Sequence, residues 1–515
     1  MTACSFSVLA VQLPVPAGNT VAALPLLLLV LPVLGALFLA ASPSLSEVRS
    51  RITGLAFSLT TLVLTLVALV WGMADNGVRF VFSGGAPTVF GAAFSLELSG
   101  KAMLFTLLTG IIAPMCLLAS WQIGRARFFN LLFLLAQGAA LGVFLAQNFF
   151  LWFLCWELSL FPAFFLIKIW GGANAGRAAY QFVIYTIGGS AFMLLAFAAV
   201  YATAKTLDFA TLREMGSIGA LEASLARQHG GTASTLVFLG VLLGLAVKVP
   251  MFPFHTWLPD TYAAAPTGVS MFLTAIMSKM GLYGFAVLLA PLFPVGLASA
   301  TPWLIWLALA GIVLGAFAAA RQVDIKRMIA YSSVNHLGYC LLALFAVAGA
   351  STADVGSAAA ARSGFWLQMF NHGLSAAALF FCAGVIERRS GVRGIGDFGG
   401  VRKVAPVFAA LCGVALFSSL GLPGLNGFVG EFLIFRGVFG FVPWAAAAAA
   451  IGLLVTAIFL LTFWQKVFHG PANVRTETIS DLTRIEVIAL APVALLMVLF
   501  GILPSLLTGI LGKLP

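Results

Sequence analysis

Apolar runs of about twenty residues recur from end to end of the chain, separated by short polar breaks. A helix rises about 1.5 Å per residue against a hydrocarbon core of about 30 Å, so each run is read as a membrane-spanning helix. The spans are expected to begin near Asn19, Ile52, Lys101, Phe128, Phe149, Ala178, Ala233, Thr267, Pro302, Ile325, Gly364, Val404, Pro443 and Ile485. The pattern predicts an all-α, polytopic membrane protein with about fourteen transmembrane helices. The longest polar interruption, residues 205–232, holds Arg213, Glu214, Glu222 and Arg227 and is expected to form an interfacial helix or loop.

Two spans depart from the pattern. The seventh runs through Lys248, Pro250 and Pro253, and the twelfth, residues 404–437, is too long for one straight crossing and contains Gly421, Pro423, Gly424 and Gly427. Proline removes a backbone donor and clashes with the preceding turn, so such breaks inside a membrane imply broken helices lining a hydrated interior. Each break has an ionisable neighbour, Lys248 in one and Glu431 in the other. Interruptions at matching places in two halves mark internally repeated transporters, here as two inverted five-helix repeats. The expected division is residues 1–127 (helices one to three), 128–300 (first repeat), 301–470 (second repeat) and 471–515 (helix fourteen).

Composition narrows the function classes. Over 515 residues, 62% are hydrophobic, only 8% are charged, and the mean hydropathy is +1.08. The first apolar run, residues 19–41, follows no Lys or Arg and exceeds a secretory core, so it is read as a spanning helix rather than a cleaved leader. Cys4, Cys116, Cys155, Cys340, Cys382 and Cys412 are scattered without metal or dithiol spacing and read as small buried hydrophobes. No Rossmann fingerprint, meaning a glycine-rich turn joining a strand to a helix in a βαβ unit, is read from the sequence. The net charge of +11 does not point to nucleic acid, because the cations sit in short loops. One set of loops carries Arg49, Arg51, Arg125, Arg127, Arg177, Arg321, Lys326, Arg327, the cations of residues 388–403, Lys466, Arg475 and Arg484. The other set holds chiefly Arg79, Lys205, Arg213, Arg227 and Arg362, which predicts both termini on the outer face.

Against this background Glu157, Lys248, Lys279 and Glu431 stand inside apolar stretches, joined by His336 and His372. A charge at the centre of a spanning helix costs about 2.5 to 3.5 kcal/mol on insertion scales, so these groups read as an ion path. Counting helical rise from the span starts puts Lys279 about 18 Å deep, His336 about 15 Å, and Glu157 and His372 about 12 Å. A band at one depth passes charge parallel to the membrane, whereas a simple pore needs groups stacked along its normal. A Lys and a carboxylate about 4 Å apart attract by roughly 4 kcal/mol at an effective dielectric near 20, so separating Glu157 from Lys248 favours proton release from the lysine. Histidine suits relay between lysines, with bound water filling gaps. The blander readings are a packing lock for Glu157 and Lys248 and a b-type haem ligated by His336 and His372. His255 reads as a loop-capping residue, His229 and His469 as surface residues, Lys168 with Trp170 as an interface anchor, and Asp324, Lys326 and Arg327 as a capped loop entering helix ten.

Several motifs carry a family resemblance. Trp156-Glu157 followed by Pro162, Ala246-Val247-Lys248-Val249-Pro250, His255-Thr256-Trp257-Leu258-Pro259-Asp260, Ala265-Pro266-Thr267 and Lys279-Met280-Gly281-Leu282-Tyr283 resemble the antiporter-like membrane subunits of proton-pumping NADH:quinone oxidoreductase, respiratory complex I. Asp324-Ile325-Lys326-Arg327, Ala330-Tyr331-Ser332-Ser333, His336-Leu337-Gly338, Asn371-His372-Gly373-Leu374-Ser375 and Phe428-Val429-Gly430-Glu431-Phe432 continue it, over helices four to thirteen. Glu431 is similar to the glutamate of the subunit M type; the sibling subunits L and N and the sodium/proton antiporter subunits carry lysine there. The chain also ends soon after the fourteenth span, without the lateral helix of subunit L. The resemblance implies that Glu157 and Lys248 form a coupled pair, Lys279 is the central relay, His336 and His372 bridge the halves, and Glu431 is the terminal proton site. It implies no cofactor on this chain, with NADH, flavin, iron–sulfur and quinone chemistry on other subunits. The expected partners are sibling antiporter-like subunits, lipid, protons and internal water, in a bacterial cytoplasmic membrane. Alternatives are a subunit of a cation/proton antiporter or membrane-bound hydrogenase, a haem-bearing quinone oxidoreductase, and a passive membrane scaffold.

Overall fold

The computed structural model describes residues 23–74, 80–89, 92–350 and 354–513. The expected start at Asn19, Cys4 and Arg79 lie outside them. Among the described residues, thirteen helices are long and apolar enough to cross a membrane. In chain order they are the first (Ala23–Ala41), second (Glu47–Ala74), third (Gly100–Ala119), fourth (Ala126–Leu145), fifth (Phe149–Trp170), sixth (Ala175–Ala204), seventh (Gly231–Lys248), eighth (Thr267–Leu292), ninth (Pro294–Ala320), tenth (Ile325–Ala348), eleventh (Val355–Ser390), thirteenth (Pro443–Phe468) and fourteenth (Arg484–Ile502). The twelfth passage consists of two helices, Pro406–Ser419 and Asn426–Phe441.

The expected starts at Phe149, Thr267, Ile325 and Pro443 coincide with the observed ones. The ninth and eleventh helices begin eight and nine residues earlier than expected, at Pro294 and Val355. Ser, Thr and Arg362 in those first turns lower the local hydropathy, yet helical hydrogen bonding continues past the apolar stretch.

Both expected breaks are present. The seventh passage stops at Lys248 and resumes as Trp257–Ala264, and the twelfth is interrupted between Ser419 and Asn426. The second break is stitched by side chains: Ser418 Oγ donates to Asn426 Oδ1 at 2.6 Å, and Asn371 Nδ2 of the eleventh helix donates to Asn426 O at 2.6 Å. Side chains thus tie the two halves of the break to each other and to the eleventh helix.

Three features go beyond the count of apolar spans. Residues 205–232 fold into two short helices, Phe209–Ser217 and Ala220–His229. Strands Val81–Val89 and Ala92–Glu97 pair antiparallel at the end of the bundle where the third helix begins, in a register that puts Phe82 opposite Leu96. Alternate apolar residues Phe80, Leu96 and Leu98 are buried, a period-two signal available in the sequence. Finally, the eighth helix contains two π-helical turns, Leu273–Met277 and Phe285–Leu289.

The eighth, tenth and eleventh helices form the centre, with 94%, 94% and 100% of their apolar windows buried, whereas the second and fourteenth face outward at 28% and 33%. The relay candidates Lys279, His336 and His372 therefore lie on the innermost helices. The loop after the thirteenth helix locks one end of the bundle. Asp481 accepts from Val407 N (3.0 Å) and Phe408 N (2.8 Å), which begin the twelfth passage, and from Leu482 N (2.8 Å). Glu486 meets Arg388 and Arg389 at 2.6 Å each.

Burial alone would raise the Asp481 carboxyl, but three backbone N–H donors and Arg389 outweigh it and hold the group below its usual value of 3.8. Its stabilising effect is thus present above the unfolded value and is lost as pH falls through the folded one. Asp481→Ala is expected to cost about 1 kcal/mol, as for a helix N-cap, with the full deficit at neutral pH. Heating the purified assembly and following its survival on native gels checks this; equal survival of the variant and wild type would refute it.

Candidate functional site

The site is built where the π-distorted eighth helix and the broken twelfth passage meet the continuous tenth and eleventh helices. In the eighth helix, the wide turn Leu273–Met277 turns the Thr274 carbonyl to Lys279, whose Nζ donates to it at 2.6 Å. The same ammonium group lies 2.7 Å from His372 Nδ1 on the eleventh helix. Lys279 is fully buried, so these two polar atoms replace the water a charged lysine would otherwise hold. The His372 ring is 5.2 Å, centroid to centroid, from His336 on the tenth helix. His336 Nδ1 is 3.0 Å from Glu431 Oε1, in the second half of the twelfth passage. Lys279, His372, His336 and Glu431 thus form one buried string across four helices.

Glu431 Oε1 also accepts from Gln368 Nε2 at 3.1 Å. Its other oxygen faces the break: a Cβ added at Gly421, whose φ is +80°, would stand 2.8 Å from Glu431 Oε2. Gln368 was missed in the sequence. It precedes His372 by one helical turn, so an i, i+4 polar pair inside an apolar helix was the available signal. Asn426, Ser418 and Thr274 were missed as well, since their roles depend on backbone groups released by breaks and π turns.

Glu157 and Lys248 depart from expectation. Among the described residues they form no ion pair; Lys248 Nζ instead lies over the Trp156 ring at 4.9 Å and donates to Ser159 Oγ at 3.4 Å. Glu157 Oε1 has no hydrogen-bond partner among the described residues. The fifth span is interrupted at Ser159, between Phe149–Leu158 and Leu160–Trp170, which leaves that hydroxyl facing the lysine. Glu157 adjoins Trp156, whose ring Lys248 covers, so its charge acts on the lysine without a direct ion pair.

His255 sits in the seventh-helix break, its ring 5.4 Å from Phe252, away from the string. Lys168 bonds the Tyr180 hydroxyl at 3.0 Å near the surface, as an anchor would. Asp324 caps the tenth helix by accepting from Arg327 N, and buried Lys326 pairs with Glu387 at 2.6 Å. The His336 and His372 rings stand 5.2 Å apart, centroid to centroid, too close to hold an iron and its porphyrin between them as axial ligands, so the pair fits proton exchange better than a haem site.

A family model described as "NADH:quinone oxidoreductase/Mrp antiporter, TM" matches residues 146–458, a segment that contains all six candidate residues. The chain is 36% identical over 456 residues to NADH-quinone oxidoreductase subunit M of Rhodobacter capsulatus, covering 88% of this chain and 87% of that one. It is likewise 36% identical over 463 residues to F(420)H(2) dehydrogenase subunit M of Methanosarcina mazei, covering 88% and 89%. Among solved structures, a chain of respiratory complex I from Thermus thermophilus superposes with a TM-score of 0.81 at 28% identity, covering 95% of this chain and 98% of that one. A chain of the Mrp complex from a Dietzia species shares the fold, with a TM-score of 0.78 at 20% identity and coverage of 95% and 96%. The matched segment, the length of the relatives covered and the shared fold agree: the chain belongs to the family of NADH:quinone oxidoreductase and Mrp antiporter transmembrane subunits, and within it to the subunit M type.

Proposed function

We propose that this chain is the proton-translocating M-type membrane subunit of a complex I type NADH:quinone oxidoreductase, with its redox centres on other subunits. The observation that carries this reading is the buried string Lys279, His372, His336 and Glu431, in which every direct contact is a donor–acceptor pair able to hold its proton on either side. A proton on Lys279 passes to His372 Nδ1, crosses the 5.2 Å between the imidazole rings through one water, and reaches Glu431 from His336 Nδ1. Gln368 holds the carboxylate in place for that transfer.

Glu157 and Lys248 act as the gate. Where Glu157 moves away from Lys248, the lysine loses the attraction that the nearby carboxylate supplies, and its proton is released more readily toward the centre. Return of the carboxylate reloads the lysine. The two broken helices support a division into two inverted five-helix units, residues 128–300 and 301–470, and the loop cations favour both termini on the outer face of a bacterial cytoplasmic membrane.

The test compares proton pumping with electron transfer in membranes carrying Glu431→Gln and Lys248→Ala, with assembly checked on native gels. Both activities are expected to fall together by at least about tenfold, since blocked acid–base transfer stalls the coupled redox reaction. Normal pumping by both assembled variants would leave only a scaffold role.

A further inference from the structure

The string has one end at Glu431, yet its central lysine sits on a helix that continues to the membrane surface. We propose that an aromatic plug with a cationic cap seals this route, so that a proton on Lys279 moves sideways to His372 and does not leave along the eighth helix. This rests on the relay reading above.

Tyr283 lies one helical turn beyond Lys279, toward the end of the bundle that carries the β-hairpin. Around it stand Phe105 of the third helix, Phe144 of the fourth and Trp366 of the eleventh, with ring centroids 5.3 to 6.2 Å apart. All four residues are buried. The one hydroxyl among them is engaged, because Tyr283 OH donates to Phe144 O at 2.9 Å. A proton needs a chain of hydrogen-bonding groups or water, and an apolar constriction resists wetting.

Charged groups stand beyond the rings, the cations Lys101, Arg213 and Arg362 outnumbering the carboxylate Glu97 among them. Lys101 Nζ lies 6.0 Å from the Trp366 ring centroid. Arg213, from the short helix Phe209–Ser217, reaches down to donate its Nε to Val287 O at 3.3 Å. That carbonyl belongs to the second π turn of the eighth helix, Phe285–Leu289. The two short helices of residues 205–232 thus place a guanidinium over the end of the helix that carries Lys279. Positive charge beyond a dry layer repels an outgoing proton, as in pores where an arginine excludes protons. Ordinary core packing would call for the rings but not for two cations set over them.

The test uses the whole complex in proteoliposomes, first with an imposed pH gradient and no electron donor, then with donor and quinone. Trp366→Ala is expected to speed collapse of the gradient on the order of tenfold while electron transfer persists, so that protons pumped per electron fall. Trp366→Phe should hold the gradient. If Trp366→Ala does not assemble, Phe105→Thr, which shortens another ring of the plug, carries the same test. A gradient that decays at the wild-type rate in the assembled variant overturns the seal. The relay reading fails separately, through unimpaired pumping by Glu431→Gln.

Discussion

Replacing Lys279 with either alanine or arginine is expected to stop proton translocation through this chain while the assembly persists. Alanine removes the group that meets both Thr274 O and His372 Nδ1. It also removes a buried charge whose desolvation was unfavourable, which offsets part of the packing lost with the side chain. Arginine is the sharper probe. It keeps the positive charge but does not release its proton in proteins, so a relay fails with it whereas a purely electrostatic anchor survives. The expected loss of pumping is about 100-fold or more for both variants, the lower range for a positioned acid–base group. Pumping measured by dye quenching in inverted membrane vesicles, beside quinone reduction, decides the matter. Substantial pumping by Lys279→Arg would remove Lys279 from the relay.

The second large effect is expected at Gly427, where the two halves of the twelfth passage cross. A Cβ there would lie 1.9 Å from Ser418 O, a separation that real contacts do not show, and the obstructing atom is backbone. Ser418 and Asn426 are themselves bonded to each other, and Asn426 to Asn371, so the crossing has little room to yield. Overpacking typically costs about 1 to 3 kcal/mol, and a rigid obstacle of this kind belongs at the top of that range or above. Gly427→Ala should therefore cut the amount of assembled subunit several-fold. In whatever assembles, Glu431, four residues further along the same helix, should be displaced from His336 and Gln368. Gly176→Ala in the sixth helix is the control, because nothing lies within 4 Å of its added Cβ. Equal levels and equal pumping for both variants would show that the break is slack.

The buried string was partly legible in the sequence. Its members stand out because ionisable residues in apolar spans are costly, and Pro250, Pro253 and Pro423 expose the two breaks without any knowledge of packing. The Glu157–Lys248 pair was legible only as two ionisable groups able to act on each other. The spacing did not contain the interruption at Ser159 or the stacking of Lys248 on Trp156. The π turns of the eighth helix carry no proline to announce them, so the carbonyl that receives Lys279 was invisible in sequence. Gln368 was hidden for a different reason: an amide is common at helix surfaces, and only the arrival of Glu431 from a distant helix makes it functional.

The sequence by itself determined that this chain lives in lipid and which of its groups are ionisable there. Tertiary structure alone decided which of those groups touch. Rotation about each helix axis and the choice of neighbouring helix arise from packing among the eighth, tenth, eleventh and twelfth passages. A residue at the correct depth facing lipid, as against one facing His336, differs by a rotation that no count along the chain records.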